Sequence, residues 1–178
     1  MKKICGLFIS VFGLFSHSTI AEDVRVQITG AVLAQSCNVK SSDLTKNVIF
    51  DDINPQALTP TGATTAPKKV TIALENCTGN VNSMSYMFSG SGDDGNPDLL
   101  KITGGRPDAA SEGLASGLAI EILDMNKKAI PLNQKQTFSQ KITTSNYNFN
   151  FYLRYKSTSQ TIEAGDASSL LYLDFYYE

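Results

Sequence analysis

A glycine-rich stretch is the first place where the sequence imitates a chemical site. The loop GSGDDG has the G-x-G-x-x-G spacing of a dinucleotide-binding turn, carried by Gly90, Gly92 and Gly95. Such a turn must lead into a helix whose N-terminus holds the pyrophosphate. Here Asp93 and Asp94 would repel that group, and the prolines and glycines that follow interrupt any helix. We therefore interpret the stretch as a hairpin loop.

Two groups of carboxylates suggest a calcium site and an acid–base pair, but their spacing fits neither. Asp94, Asn96 and Asp98 start like a calcium-binding loop, but leucine stands where that loop needs glycine, and Gly105 stands where it needs its bidentate glutamate. Asp51 and Asp52 are adjacent, so on a strand they point to opposite faces and cannot work as an acid and base pair. The sequence predicts no metal site and no catalytic pair.

The N-terminus predicts export. Lys2 and Lys3 precede the apolar run from Ile4 to Phe15, and small residues lead to Ala21, which is typical of a secretory signal cleaved after Ala21. Removing residues 1–21 leaves 157 residues with 13 basic and 17 acidic side chains and without histidine. An acidic chain offers no basic face for nucleic acid, and no later segment approaches the ~20 apolar residues of a membrane-spanning helix.

Two cysteines remain after this cleavage, Cys37 and Cys77. In an oxidising compartment an isolated pair most simply forms a disulfide, and closing a loop of this length stabilises a fold by roughly 4 kcal/mol. Without histidine or a free thiol, nucleophilic catalysis would depend on an unmarked serine or threonine. We expect neither an enzyme nor a cofactor.

Short alternating runs predict the elements that would position any site. They are VRVQITGAVL, KNVIFDDI, KKVTIALEN, MSYMFSG, GLAIEILD, TFSQKIT, NYNFNFYLRYK and SLLYLDFYY. This spacing, with long Pro- and Gly-rich loops between some of the runs, is typical of an antiparallel β-sandwich in one domain. We expect a helical turn near Ala57, and we expect one face of the seventh run to be buried: Phe149, Phe151, Leu153 and Tyr155.

The two ends of the chain carry the remaining information. The first run places its apolar residues on one face, namely Val24, Val26, Ile28, Gly30 and Val32. Its length indicates two parts, an N-terminal extension over residues 22–33 and a domain over residues 34–178. The last run places Leu171, Leu173, Phe175 and Tyr177 on one face and then stops at Glu178, so this strand lacks a neighbour that follows it in the chain.

The whole mature chain resembles the pilin subunits of chaperone–usher (type 1-like) fimbriae. The matching features are the extension with Gly30, the cysteine pair, GATT, the segment ASGLAIEILD with IPLN after it, Gly165 and the penultimate Tyr177. The resemblance implies an incomplete immunoglobulin-like sandwich that lacks its last strand and is completed by donor-strand exchange. It points to a minor, tip-fibrillum-type subunit of a cell-surface fimbrium.

The resemblance also assigns roles and partners. The extension would be the donor strand, and the last strand would border an acceptor groove. A periplasmic chaperone would lend a strand to that groove and hold the Glu178 carboxylate, and the extension of a neighbouring subunit would replace it at the outer-membrane usher. A self-contained secreted carbohydrate-binding sandwich and a secreted hydrolase are the alternatives, and either should fold without a donor strand.

Overall fold

Eight β-strands and two short 3-10 helices make up the described part of the chain. The computed structural model describes residues 36–78, 81, 84–105 and 113–177. The strands are β1 (Ser36–Val39), β2 (Lys68–Thr78), β3 (Met84–Ser89), β4 (Leu118–Leu123), β5 (Ala129–Ile130), β6 (Gln136–Phe138), β7 (Tyr147–Ser157) and β8 (Tyr172–Tyr177). The helices are Ser41–Asp43 and Pro55–Leu58, and the second confirms the turn predicted near Ala57. No helix within these ranges is long and apolar enough to cross a membrane.

The strands form two antiparallel sheets. One sheet has the order β1-β2-β7-β4-β5, and the other has the order β6-β3-β8. The central pair of the larger sheet, β2 with β7, is in register from Lys68 opposite Leu153 to Leu74 opposite Tyr147. Two antiparallel sheets that bury their facing sides are the sandwich that the alternating runs predicted.

The core lies between the sheets and is rich in aromatic rings. The four residues of β7 that the alternation placed inward are all buried, which confirms that prediction: Phe149, Phe151, Leu153 and Tyr155. From the smaller sheet, Phe88 of β3 meets them, with its ring centroid 4.8 Å from that of Phe151. Because side chains alternate along a strand, the polar partners on β7 fall on the outer face.

An ion cluster occupies that outer face between β4 and β7. The Glu121 side chain is only 5% exposed, and it accepts from Arg154 Nε at 2.7 Å and from Lys156 Nζ at 2.7 Å. Burial alone would raise the pKa of Glu121, but the bonds from Lys156 and Arg154 outweigh it and lower the pKa. The carboxylate therefore stays charged and joins two neighbouring strands.

A carboxylate takes over from strand pairing at the edge of the larger sheet that β1 forms. After β1 leaves the sheet, Lys40 N donates to the Ala73 carbonyl at 2.9 Å, and Asp43 Oδ2 then accepts from Ala73 N at 2.8 Å. The bond from the Ala73 backbone lowers the pKa of Asp43, and Lys46 adds to this effect. A side chain thus replaces a strand partner where the ladder stops.

Three features differ from the sequence predictions. The run KNVIFDDI (46–53) was predicted as a strand, but it forms no ladder with any strand in the described ranges. The run TFSQKIT is a strand only up to Phe138, beyond which Ile142 makes an isolated bridge with Val81. The two-residue strand β5 carries too short an alternation to be found from the sequence. A ladder needs a spatial neighbour, which local alternation cannot specify.

Candidate functional site

The last strand, β8, lies at the edge of the smaller sheet. It pairs with β3 from Tyr172 opposite Ser89 to Tyr177 opposite Met84. Its other edge has no strand partner among the residues that the structure describes. Such an edge leaves alternate N–H and C=O groups free to pair with another strand. The strand begins at Tyr172.

Apolar side chains on one face of this edge are only partly covered. The four predicted residues of the acceptor groove pack against the core and remain half-buried: Leu171, Leu173, Phe175 and Tyr177. The Phe175 ring meets the Phe149 ring at 5.1 Å in an edge-to-face arrangement. The opposite face of β8 is polar and aromatic and points outward. The structure therefore brings these four predicted residues together on a single face.

A second segment, residues 48–53, also packs against the core without a strand partner in the described chain. We call it the facing segment. Val48, Phe50 and Ile53 are half-buried against the core, whereas Ile49 is 76% exposed. The Phe50 ring lies 4.7 Å from the Tyr155 ring, and Lys68 Nζ donates to the Ile49 carbonyl. The alternation of this run predicts an ordinary strand of the sandwich, and nothing local in the sequence indicates a place beside the groove.

Contacts at two points relate β1 and the facing segment to β8. At one end, the Tyr155 hydroxyl donates to the Ala167 carbonyl, ahead of β8, at 2.8 Å, while the Tyr155 ring packs on Phe50. At the other end, the Tyr177 hydroxyl lies beside the backbone of Cys37 without a well-aligned hydrogen bond to any described residue. Cys37 therefore lies beside the end of β8, whereas Phe50 is linked through Tyr155 to the segment ahead of its start.

The tyrosines at these two ends are protected from water. Burial raises the pKa of Tyr155, and the nearby Asp166 carboxylate raises it further. Burial also raises the pKa of Tyr177, against a smaller opposing effect of the Cys37 backbone. Both phenols therefore stay protonated at neutral pH and are available as hydrogen-bond donors.

The predicted disulfide is confirmed. Cys37 and Cys77 are bonded and close a loop with a sequence separation of 40. The bond joins β1 to β2 at one end of the larger sheet, and Cys37 is the residue beside which β8 ends. The disulfide therefore anchors the chain at the point where the extension would leave the domain.

The remaining predicted site residues lie outside the described residues. These are the signal at 1–21, the five donor-strand residues Val24, Val26, Ile28, Gly30 and Val32, and the C-terminal Glu178. Their roles stay predictions.

The loops that imitated chemical sites are turns. Asp93 Oδ1 accepts from Gly95 N and Asn96 N, both at 3.1 Å, so this carboxylate closes its own turn. Asp94 pairs with Lys101 at 2.7 Å. Side chains engaged in this way stabilise a hairpin loop and do not converge on a ligand.

Comparison with known proteins agrees with this geometry. The family profile described as fimbrial protein matches residues 26–178. The fimbrial-like protein YcbU of Escherichia coli K12 is 30% identical over 97% of this chain and 94% of its own length. YdeS of the same strain is 30% identical over 92% of each chain.

Solved structures share the fold. The type I fimbria protein BPSL1626 of Burkholderia pseudomallei aligns with a TM-score of 0.60 and 25% identity over 79% of this chain and 88% of that chain. The P pilus rod subunit PapA aligns with a TM-score of 0.64 and 17% identity over 80% of this chain and 99% of that chain. A subunit of a chaperone–usher pilus gives the same TM-score at 16% identity, over 92% and 100%. The chain belongs to the fimbrial protein family, and it is a structural subunit of a chaperone–usher fimbria with an immunoglobulin-like sandwich.

Proposed function

We propose that this subunit joins its neighbours by donor-strand exchange, with an acceptor groove between β8 and the facing segment. The observation that carries the proposal is the edge of β8, which has no strand partner in the described part of the chain. The apolar face of β8 is half-buried, and the facing segment likewise forms no ladder with any described strand. A strand inserted between them would pair with both edges and cover the exposed parts of Leu171, Leu173 and Phe175.

The extension of a second subunit has the side chains for this role. Val24, Val26, Ile28 and Val32 would each gain roughly 1.5–3 kcal/mol on burial, about 6–12 kcal/mol in total before the cost of ordering the extension. Gly30 would sit where the backbone passes closely, so a larger residue there would collide. The extension is residues 22–33, and the domain that accepts it is residues 34–178.

The route to the fimbrium involves two further partners. The signal at 1–21 directs the chain into the periplasm, where a chaperone strand fills the groove first and holds the Glu178 carboxylate. At the outer-membrane usher, the extension of a neighbouring subunit replaces the chaperone strand, and the subunit reaches the cell-surface fimbrium. Within that fibre, the segment from Ala115 to Asn133 is the sequence feature that favours a minor, tip-fibrillum-type position. Membership of the fimbrial protein family supports a non-enzymatic role.

A fusion of the donor strand to the chain tests this function. Residues 22–33 placed after Glu178 through a flexible linker should fill the groove of the same molecule in an antiparallel orientation. Because a tether supplies roughly millimolar effective concentration, even a modest affinity should raise the unfolding temperature of the mature chain strongly. The extension of a homologous subunit serves as a second donor, and the same fusion with Gly30→Val is the matched control.

Two results would count against the proposal. One is that neither donor raises the unfolding temperature above that of the Gly30→Val control. The other is that the mature chain without any donor is already a stable monomer whose β8 amides resist hydrogen exchange, as a self-contained carbohydrate-binding sandwich would be.

A further inference from the structure

We propose that Tyr155 is a positioning residue that holds the two sides of the acceptor groove at the width of one strand. It thereby determines how tightly the C-terminal half of an incoming extension is held. This inference rests on the proposed function, because it assigns a role inside the same groove.

Tyr155 contacts both sides at this end of the groove. It is 7% exposed and projects from β7, in the larger sheet, into the core. Its ring meets Phe50 of the facing segment at 4.7 Å, and its hydroxyl donates to the Ala167 carbonyl, which precedes β8, at 2.8 Å. The ring and the hydroxyl of one residue thus join two segments that share no ladder.

The backbone on either side of this bridge is fixed. Tyr155 N donates to Thr65 Oγ1 at 3.0 Å, and Thr65 N donates to the Tyr155 carbonyl at 3.0 Å. Beside Ala167, Asp166 Oδ1 accepts hydrogen bonds from Ser168 N at 3.0 Å and from the Ser168 hydroxyl at 2.7 Å. The two ends of the Tyr155 side chain, at β7 and at the Ala167 carbonyl, are therefore anchored, and Phe50 of the facing segment packs on the ring between them.

The hydroxyl is the part of this bridge that can be removed alone. A buried phenol is oriented by the hydrogen bond that its hydroxyl makes. Without that hydroxyl, the Ala167 carbonyl would lose this donor. Phenylalanine would keep the packing on Phe50 and release only the β8 side. The opposite end of the groove would keep its own anchor, because the Cys37–Cys77 disulfide lies there.

Strand orientation makes the effect local. In an antiparallel arrangement the start of the extension lies near Tyr177, and its residues 29–33 lie nearest to Tyr155. A shortened donor that ends at Ile28 should not reach the Tyr155 end. The role of Tyr155 in the groove can therefore be separated from a general effect on the fold.

The test compares Tyr155→Phe with Tyr147→Phe in the mature chain. Tyr147 lies on the same strand, and its hydroxyl donates to Gln140 Oε1 at 2.7 Å, a residue that belongs neither to β8 nor to the facing segment. Each protein is refolded with a fluorescently labelled peptide of residues 22–33 or of residues 22–28, and dissociation is followed after adding excess unlabelled peptide. We expect Tyr155→Phe to release the long peptide roughly three- to tenfold faster than the wild-type chain does, which corresponds to one lost hydrogen bond.

The controls make the outcome decisive. Tyr147→Phe should stay within about twofold of the wild type, the size of a surface effect. Tyr155→Phe should release the short peptide at the wild-type rate, and it should speed hydrogen exchange of the amides at 167–171 selectively.

Three results would overturn the inference. Equal acceleration for both peptides would mean a general loss of stability, and unchanged release of the long peptide would mean that the bridge does not control the groove. In both cases the proposed function would survive. If the wild-type chain captures neither peptide, the proposed function fails and the inference fails with it.

Discussion

Gly165 shows how a backbone contact can fix the identity of a single residue. Asp166 N donates to the Gly113 carbonyl at 2.8 Å, and Ala115 N donates to the Asp166 carbonyl at 3.0 Å, so two loop segments lie side by side. A Cβ atom on Gly165 would lie 2.6 Å from Ala115 N and 2.6 Å from the carbonyl carbon of Leu114. Neither atom can move without shifting backbone, which leaves room for glycine alone.

We therefore expect Gly165→Ala to destabilise the subunit by roughly 1–3 kcal/mol, the usual cost of overpacking. Urea unfolding of the chain completed by a fused donor strand measures the loss. Gly95→Ala is the matched control, since its nearest neighbour would be Asp93 Oδ1 at 3.5 Å, and it should stay within about 0.5 kcal/mol of the parent. Equal losses for the two variants would contradict this account.

At the scale of elements, Glu121 illustrates how a charged side chain joins two strands. Its carboxylate is almost fully buried on the outer face of β4, and two cations from β7 bind it. All six residues of β4 are buried, which is unusual for a strand with a charge in its middle. The paired cations make that charge compatible with burial.

Glu121→Gln should lower the free energy of unfolding by about 1–3 kcal/mol at pH 7, because Arg154 and Lys156 would lose their counter-charge. The lowered pKa gives the sign of the pH dependence. The contribution is complete above the ordinary pKa of about 4.3 and disappears as the pH falls through the lower pKa of the folded state. Urea unfolding of the fused chain between pH 3 and pH 7 would measure it.

Glu163→Gln is the control for this prediction. Glu163 is exposed, and its carboxylate accepts a hydrogen bond from the Ser116 hydroxyl at 3.0 Å. Glu163→Gln should change the free energy of unfolding by less than about 0.5 kcal/mol at pH 7. A difference between Glu121→Gln and the parent that does not shrink in acid would show that the ion cluster is not the source of the effect.

At the scale of the whole molecule, the proposed function makes the two ends of the chain complementary. In that function one end would supply the strand that the other end lacks, and each subunit would be both donor and acceptor. Head-to-tail contacts build an open fibre when the rotation between subunits does not close into a ring. The half-buried residues of β8 are the part of this arrangement that lies within the described structure.

Deleting residues 22–33 separates the two roles. The shortened subunit should still bind its chaperone, because β8 and the facing segment are unchanged, but it should no longer insert into the subunit ahead of it. Electron microscopy of cells that express the deletion should show short fibres or none. A subunit with the same twelve residues in scrambled order controls for length and export, and normal fibres from the deletion would contradict the proposal.

Local patterns made much of the fold predictable. The period of two marked β2, β3, β4, β7 and β8, because side-chain alternation depends on the strand alone. It also assigned the buried face of β7 from Phe149 to Tyr155. The disulfide was predictable because two cysteines remain in the mature chain and the chain is expected in an oxidising compartment. For the site, the same alternation selected Leu171, Leu173, Phe175 and Tyr177, since one face of a terminal strand is readable without knowing its neighbours.

What the sequence by itself determined is therefore five of the strands (β2, β3, β4, β7 and β8), the inward faces of β7 and β8, and the disulfide. Only the tertiary structure decided which edges have partners, because pairing depends on segments far apart in the chain. The run 46–53 alternates like a strand, yet no described strand pairs with it. The bridge from Tyr155 to Phe50 and Ala167 joins three distant positions, and the close approach at Gly165 joins two, so neither has a local signal. These long-range contacts shape the groove, and they exist only once the two sheets have packed against each other.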